Sequence, residues 1–350
     1  MSKIRVCFIG AGNCVSAIVQ GIQYYKGEDH TGLMYETIGG YKVKDLEPVA
    51  AFDVDENKVG KDLSEAIFSK PNCTVKFSDV PNLSVKVMMG PIMDGITEHL
   101  SKMVKVSNKK PVDVAKVLKE TKPDVVVNTL PTGSIEASKF YARLAIEAGA
   151  GFANGMPALI ANDEKFVKLA EDNNVPLIGD DVKSQVGGSI FHRSLLKLFM
   201  DRGVKIKETY QLNVGGNSDF FNQLTRKETK LYTKGQSYKT LVPYKYPVWG
   251  GAAGYIDFLN DTKEAFTVLE GIEFGGIPVS IIAFLKVVDS PNFAGVMVEA
   301  IRCCKLAMDR KVGGVLTSAS AYLTKCPPEP LSDDEAKIRL NEFIEGKRER

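Results

Sequence analysis

The sequence predicts an α/β chain: a doubly wound parallel sheet followed by a central α+β unit whose sheet is largely open. Three observations predict it. A β-branched run ends in a glycine turn that opens an amphipathic helix. Apolar runs and helices then alternate as far as Asp201. From Val204 the pattern changes to alternation with period two.

The first element is Ile4-Arg5-Val6-Cys7-Phe8-Ile9, a short buried strand. It stops at Gly10-Ala11-Gly12-Asn13-Cys14, and Val15, Ile18, Val19 and Ile22 recur at helical spacing. Strand, tight glycine turn and helix N-terminus in that order make a pyrophosphate site. Glycines let the backbone approach, and free N–H groups and the helix dipole favour negative charge. Val15 stands where the usual third glycine would be.

Val49-Ala50-Ala51-Phe52 reads as a second strand ending at Asp53, and residues 85–89 as a third. Asp124-Val125-Val126-Val127-Asn128 is a parallel strand, with a helix over 134–148 behind it. Phe152-Ala153 and Val175-Pro176-Leu177-Ile178 are further short strands. From Val204 the residues Val204, Ile206, Tyr210, Leu212 and Val214 alternate with Lys205, Lys207, Thr209, Gln211 and Asn213. That predicts a half-buried strand with those apolar side chains inward, interrupted at Glu208. Residues 277–288 form a second long strand. The expected units are 1–200 for the nucleotide fold, 201–310 for a central catalytic and oligomerisation unit, and 311–350 returning to the first.

At 350 residues the chain buries a large core or two smaller ones. A net charge of +2 gives no reason to expect nucleic acid. No apolar stretch reaches the roughly 18 residues that span a bilayer, and no signal-peptide core precedes the first strand, so a cytoplasmic location is expected. The six cysteines (Cys7, Cys14, Cys73, Cys303, Cys304, Cys326) form no CxxC pair, so a disulfide framework is not expected. The histidines are His30, His99 and His192 alone, too few for a histidine-rich metal site, and His192 in its apolar helix reads as structural.

Asp53 is a candidate for the adenosine ribose of NAD, since a carboxylate there disfavours a 2′-phosphate. It lies 41 residues after Gly12, against the usual spacing of about 20, so residues 21–46 are an insertion. A turn-forming aspartate is the alternative. Residues 179–189, between a strand and an apolar helix, offer backbone N–H groups, a Ser and a Gln suited to a phosphate monoester; a capped helix start is the alternative. A third group is Asn213-Val214-Gly215-Gly216-Asn217-Ser218-Asp219, with Lys230, Lys234, Lys263 and Lys325 downstream. Any one lysine is as readily a solvated surface group. Partly buried lysines, however, titrate near neutrality and act as bases or as partners of an oxyanion.

Together these segments resemble the myo-inositol-1-phosphate (inositol-3-phosphate) synthase family in its short prokaryotic form. The resemblance rests on the glycine turn with Asn13, residues 49–61, Leu130-Pro131-Thr132-Gly133-Ser134, residues 179–184, Asn213-Val214-Gly215-Gly216-Asn217, Asp289-Ser290-Pro291-Asn292 and residues 320–325, in one order over nearly the whole chain. It implies a Rossmann-type fold and an isomerase of inositol and phospholipid biosynthesis. Glucose 6-phosphate is oxidised at C5 by bound, recycled NAD, loses a C6 proton, closes by intramolecular aldol addition and is reduced again. The substrate phosphate itself is a candidate aid in removing that C6 proton.

By the resemblance Gly10, Gly12, Asn13 and Cys14 hold the pyrophosphate and Asp53 the ribose. Thr129, Thr132, Gly155 and Asp181 line the rest of the cofactor groove. Ser184, Gln185 and Gly187 cradle the substrate phosphate. Asn217 and Asp219 lie near the nicotinamide. Lys230, Lys234, Lys263 and Lys325 are the active-site lysines, supported by Asp261 and Asp289. Lys230 or Lys263 is expected to shuttle the C5 hydroxyl proton, with Lys234 and Lys325 neutralising phosphate and oxyanion. A homotetramer with paired central sheets is also implied, and a divalent metal ion in some members, though no ligand cluster is legible.

The sequence departs from the family in three places. Asn13-Cys14 stands for a fuller Gly-Asn-Asn turn, Gln185-Val186-Gly187-Gly188 replaces a Gly-Gln-Thr-Lys pattern, and a shortened loop lets the register of Lys230 slip to Lys227. An ordinary NAD-dependent dehydrogenase, which releases NADH, and a dinucleotide-sensing regulator, which needs no lysine set, are the competing classes.

Overall fold

The computed structural model describes residues 3–27, 29–239 and 241–350. Its strands are β1 (Ile4–Ile9), β2 (Leu46–Asp53), β3 (Val87–Met89), β4 (Val125–Asn128), β5 (Gly151–Asn154), β6 (Pro176–Ile178), β7 (Lys205–Gly215), β8 (Val248–Tyr255), β9 (Thr262–Ile272), β10 (Pro278–Val288) and β11 (Gly314–Val315). Its helices are α1 (Asn13–Tyr24), α2 (Leu63–Ala66), α3 (Val114–Thr121), α4 (Ile135–Glu147), α5 (Glu164–Asp172), α6 (Gly188–Asp201), α7 (Ser218–Gln223), α8 (Glu228–Lys239), α9 (Asp289–Asp309), α10 (Thr317–Leu323) and α11 (Asp333–Glu345).

Seven parallel strands run in the order β11-β6-β5-β4-β1-β2-β3. The sequence of β4, Val-Val-Val-Asn, is buried at every position, as a strand covered on both faces demands. β1 pairs with β2 on one side and β4 on the other, so the direction of winding reverses there. In such sheets ligands bind outside the carboxyl ends of the strands at that reversal. This is the Rossmann-type layer expected from the sequence, with β11 added beside β6.

The second sheet is mixed, in the order β10-β9-β7-β8. β7 pairs parallel with β8 and antiparallel with β9. Strand β8 escapes a pattern-based reading because Val-Trp-Gly-Gly-Ala-Ala-Gly-Tyr offers three glycines and no clean alternation.

The structure corrects two boundaries. Helix α6, expected within the nucleotide unit, packs on the mixed sheet, where Leu196 and Phe199 share a core with Ile206, Tyr238 and Leu269. Helix α9, expected within the central unit, returns to the parallel sheet; its Val296, Met297, Ala300 and Ile301 join Val15, Ile18 and Val19 of α1 in one core. The central unit therefore spans α6 to β10.

A second correction concerns the faces of β7. The register shifts between Ile206 and Glu208, so Lys207 is an inserted bulge residue. Beyond it Thr209, Gln211 and Asn213 point inward, while Tyr210 and Leu212 point out. One inserted residue flips every later side chain. The inward polar row becomes part of the site described next. The outward row joins Trp249, Phe266, Ile282 and Phe284 on a sheet face that no element among the described residues covers, where Ile282 is 69% and Phe284 60% exposed.

His192 is structural, as expected. Its Nε2 lies 2.7 Å from Thr209 Oγ1, its ring packs on Tyr238, and burial pushes its pKa down to about 3. The six cysteines are all free thiols.

Candidate active site

The glycine turn fixes the entrance to the site. Gly10 has φ +88°, and a Cβ there would sit 3.1 Å from the Thr129 carbonyl oxygen, so only glycine fits. Gly12 caps α1 with no side-chain cap and no acidic residue in the first turn. The first N–H groups of α1 are thus left for a ligand. A Cβ on Gly12 would meet nothing within 4 Å, because it points into a cavity with an empty volume of about 1380 Å³, partly open to solvent.

Gly10, Gly12, Asn13, Cys14, Asp53, Thr129, Gly155, Asp181, Ser184, Asn217, Asp219, Lys230, Lys263, Asp289 and Lys325 all line this one cavity. Residues from both sheets therefore meet at the winding reversal. Asp53 serves both readings of it: Oδ2 accepts from Ala11 N at 2.7 Å, Oδ1 accepts from Val54 N and Asp55 N, and the carboxylate still borders the cavity. Asn13 contributes its backbone, since its side-chain oxygen accepts from Cys73 N and Thr74 N and ties down that loop. Thr129 donates its hydroxyl to the Ile9 carbonyl. Gly155 is a packing glycine, for a Cβ would lie 2.6 Å from the Phe293 ring.

The lysines are held one by one. Lys230 Nζ lies 2.8 Å from Asp219 Oδ2, Lys263 Nζ 3.1 Å from Asp289 Oδ1, and Lys325 Nζ 2.6 Å from Asp181 Oδ1. Lys234 differs: Nζ donates to Gln211 Oε1 at 3.1 Å, and no ion pair holds it among the described residues. It lines an adjoining pocket that shares Asp219, Lys230, Lys263 and Asp289 with the main cavity. Lys227 borders the side pocket, whereas Lys230 borders both.

Electrostatics divides the set. Burial, then the like charges of Lys263, Lys325 and Lys230, push the Lys234 amine well below the ordinary lysine value. Burial also lowers Lys325, partly offset by Asp181. At Lys230 burial is outweighed by Asp219 and Asp181, which raise it. The surroundings thus disfavour the ammonium form at Lys234 and Lys325 and favour it at Lys230. Asp219 is held low by Lys230 against its own burial, and also accepts from Thr132 Oγ1 at 2.6 Å and Gln223 Nε2 at 2.7 Å.

Four expected residues stand elsewhere. Thr132 is fully buried and reaches the site only through Asp219. Asp261 touches no lysine; it accepts from Asn217 Nδ2, Ser290 Oγ and Ser290 N, and so fixes the starts of α7 and α9. The Gln185 amide turns away and donates to the Gly32 carbonyl at 2.6 Å, while its N–H donates to Asn292 O. Gly187 acts as N-cap of α6 and does not line the cavity. Two site residues escaped the sequence reading. Gln211 was assigned outward before the bulge was known. Thr233, which donates to Asp181 Oδ2 at 2.5 Å, lies on one α8 face with Lys230 and Lys234, and that i, i+3, i+4 spacing was its available signal.

Comparison with known proteins decides the family. An inositol-3-phosphate synthase of Mycolicibacterium smegmatis is 48% identical over 357 residues, spanning 98% of both chains. The chain belongs to the myo-inositol-1-phosphate synthase family. The family model described as myo-inositol-1-phosphate synthase matches residues 187–290, from the α6 cap to the start of α9. An inositol-3-phosphate synthase of Corynebacterium glutamicum is 45% identical over 98% of each chain. A solved myo-inositol-1-phosphate synthase-related protein from Thermotoga maritima superposes with a TM-score of 0.82 at 25% identity, covering 98% of both chains. The function is that of an inositol-3-phosphate synthase, an NAD-dependent isomerase family.

Among the described residues no cluster of three or more His, Cys, Asp or Glu side chains is arranged around a metal position. Asp289 Oδ1 is engaged with Lys263.

Proposed function

We propose that the protein converts D-glucose 6-phosphate to 1D-myo-inositol 3-phosphate with NAD bound and recycled at the glycine turn. The observation that carries this reading is the convergence of Lys230, Lys263 and Lys325 on one cavity, with Lys234, bonded to the neutral Gln211 amide, in the pocket that adjoins it. Hydride transfer alone needs one base. Ring closure also needs a C6 proton removed and a C1 oxyanion stabilised.

The residues present fit the cofactor. The open Cβ direction of Gly12, the uncapped α1 N-terminus and the Asp53 carboxylate suit pyrophosphate and ribose. NAD, when bound, supplies a hydride acceptor first and a hydride donor last, so no net redox change results. In this reading Lys325 and Lys234, whose amines are pushed toward neutrality, accept the protons of the C5 hydroxyl and of C6 and deliver them to the C5 oxygen on re-reduction and to the C1 oxygen on ring closure. Lys230 and Lys263, paired with Asp219 and Asp289, stabilise negative charge on oxygen. Ser184, with the N–H groups at the start of α6, receives the substrate phosphate.

Phosphorus NMR tests the reading. With glucose 6-phosphate in large excess over NAD, the substrate signal is expected to convert fully to that of an inositol phosphate monoester while the NADH absorbance stays flat. Continuous NADH growth without cyclic product would place the protein among ordinary dehydrogenases.

We also assign the uncovered sheet face to a second copy of the chain, as part of a homotetramer. Its support is the row of Tyr210, Leu212, Phe266, Ile282 and Phe284, which a monomer leaves in water. Phe284→Glu is expected to lower the mass seen in sedimentation without unfolding the protein. An unchanged mass would count against the assignment. No helix among the described residues is long and apolar enough to cross a membrane, and with six free thiols we place the reaction in the cytoplasm.

A further inference from the structure

One buried charge cluster lies outside the lysine site. Lys183 and Arg193 are 4% and 3% exposed, and both meet a single carboxylate, that of Asp333 at the start of α11. Lys183 Nζ lies 3.0 Å from Asp333 Oδ1, and Arg193 Nε lies 2.7 Å from Oδ2. Asp333 comes from a part of the chain 150 residues beyond Lys183.

Lys183 belongs to the loop that brings Ser184 to the cavity, and Arg193 to the helix that follows that loop. Lys183 immediately precedes Ser184. Its Nζ also donates to the Ala321 carbonyl at 2.9 Å, and its N–H donates to Leu323 O at 2.8 Å. Arg193 sits in the second turn of α6, and its remaining nitrogens reach the carbonyls of Ser237 and Leu331. Ser237 is on α8, one turn beyond Lys234. The start of α6 is seated against the inward row of β7, where a Cβ on Gly188 would lie 2.7 Å from Gln211 Oε1. One carboxylate thus ties together the Ser184 loop, α6 and the lysine helix.

We propose that Asp333 is a positioning residue for the sugar-phosphate subsite: through Lys183 and Arg193 it sets the Ser184 loop and the start of α6 against α8. This rests on the reading of Ser184 and the α6 N-terminus as the phosphate cradle.

The charges support the geometry. Burial pushes Lys183 down to about 8, with Asp333 opposing the fall and Arg193 adding to it. Asp333 is held below the usual carboxylate range, because Lys183 and Arg193 outweigh its burial. A carboxylate in the first turn of α11 is favoured further by the helix dipole. Removing it takes away the carboxylate that these two buried cations share, and buried like charges relieve such a loss by moving or by losing a proton. The Ser184 loop moves with Lys183.

The test uses the full-length protein and four variants, with KM and kcat, binding of glucose 6-phosphate and of NAD by calorimetry, and melting temperature. Asp333→Asn is expected to raise KM for glucose 6-phosphate about 10- to 100-fold, the usual cost of losing a group that orients a binding residue. NAD affinity is expected to stay within a few-fold of the parent. Asp333→Glu, which keeps the charge, is expected to recover most of the loss. If Asp333→Asn does not fold, Lys183→Met carries the same expectation and leaves the Arg193–Asp333 pair intact. Unchanged KM, or equal losses of NAD and sugar-phosphate affinity in step with a lower melting temperature, would overturn the proposal. Ser184→Ala separates the two layers. If it weakens glucose 6-phosphate binding and Asp333→Asn does not, only the positioning role falls. If it leaves binding intact, the cradle reading falls and the positioning role with it.

Discussion

Replacing Lys234 or Lys325 by methionine is expected to lower kcat by ~10²–10⁴-fold, the usual contribution of a positioned acid–base group. That loss corresponds to about 3–5 kcal/mol of transition-state stabilisation. The reason is electrostatic and local. Lys234 is buried among three other lysines and bonded to an amide oxygen, so its neutral form is favoured and its nitrogen is free to take a proton. Lys325 is lowered too, but its proton is shared with Asp181 at 2.6 Å. Lys234→Arg is expected to be as inactive as Lys234→Met, because guanidinium keeps its charge. The sign of the pH dependence follows. Both amines work as proton acceptors only when neutral, so kcat is expected to fall on the acid side as they become protonated. NAD titration by fluorescence is the control, with affinity expected within a few-fold of the parent. Near-normal kcat in both variants would return the proton-moving role to Lys230 or Lys263.

Gly12→Val is expected to abolish measurable NAD binding, a loss of at least about 100-fold, while changing the melting temperature little. Gly12 has φ −82° and ψ −167°, an extended backbone that valine adopts without strain. Its Cβ would meet no protein atom within 4 Å. The new side chain therefore costs the fold almost nothing. It occupies the approach to the first N–H groups of α1, where the pyrophosphate is placed. Gly10→Ala is the contrasting case: φ +88° and a Thr129 carbonyl oxygen 3.1 Å away make that change a strain on the fold itself. Calorimetric NAD titration beside thermal melts separates the two. Retained NAD affinity in Gly12→Val would remove the glycine turn from the cofactor site.

Local pattern carried much of this into view from sequence. The strand β1, the glycine turn, Asp53 and the buried run of β4 all announce themselves, because each is a short motif whose physics is complete within a few residues. The lysines were legible as candidates, but their convergence was not, since it depends on how two sheets meet. What was misread depends on single insertions and long-range partners. The bulge at Lys207 turned Gln211 inward and Tyr210 outward, against the apparent alternation. Gln185 carries the composition of a phosphate ligand, yet its amide is claimed by Gly32, 153 residues away in sequence. Asp261 lies two residues before Lys263 in sequence, but it precedes β9 and is taken up by Asn217 and Ser290, while Asp289 takes the lysine. The ordering of charge among the lysines is out of reach of the sequence for the same reason. Which ammonium is firmly charged is set by the carboxylate opposite it, and Asp219 and Asp181 come from other elements.

The central claim is that a hydride leaves one carbon of the sugar phosphate and returns to the same carbon while lysines move the protons. Glucose 6-phosphate carrying deuterium at C5 tests it most directly, incubated with the protein and a small amount of NAD. The account predicts inositol phosphate that retains the deuterium at one carbon, with no labelled NADH accumulating. Deuterium collecting in NADH, with an uncyclised keto sugar phosphate left behind, would contradict it.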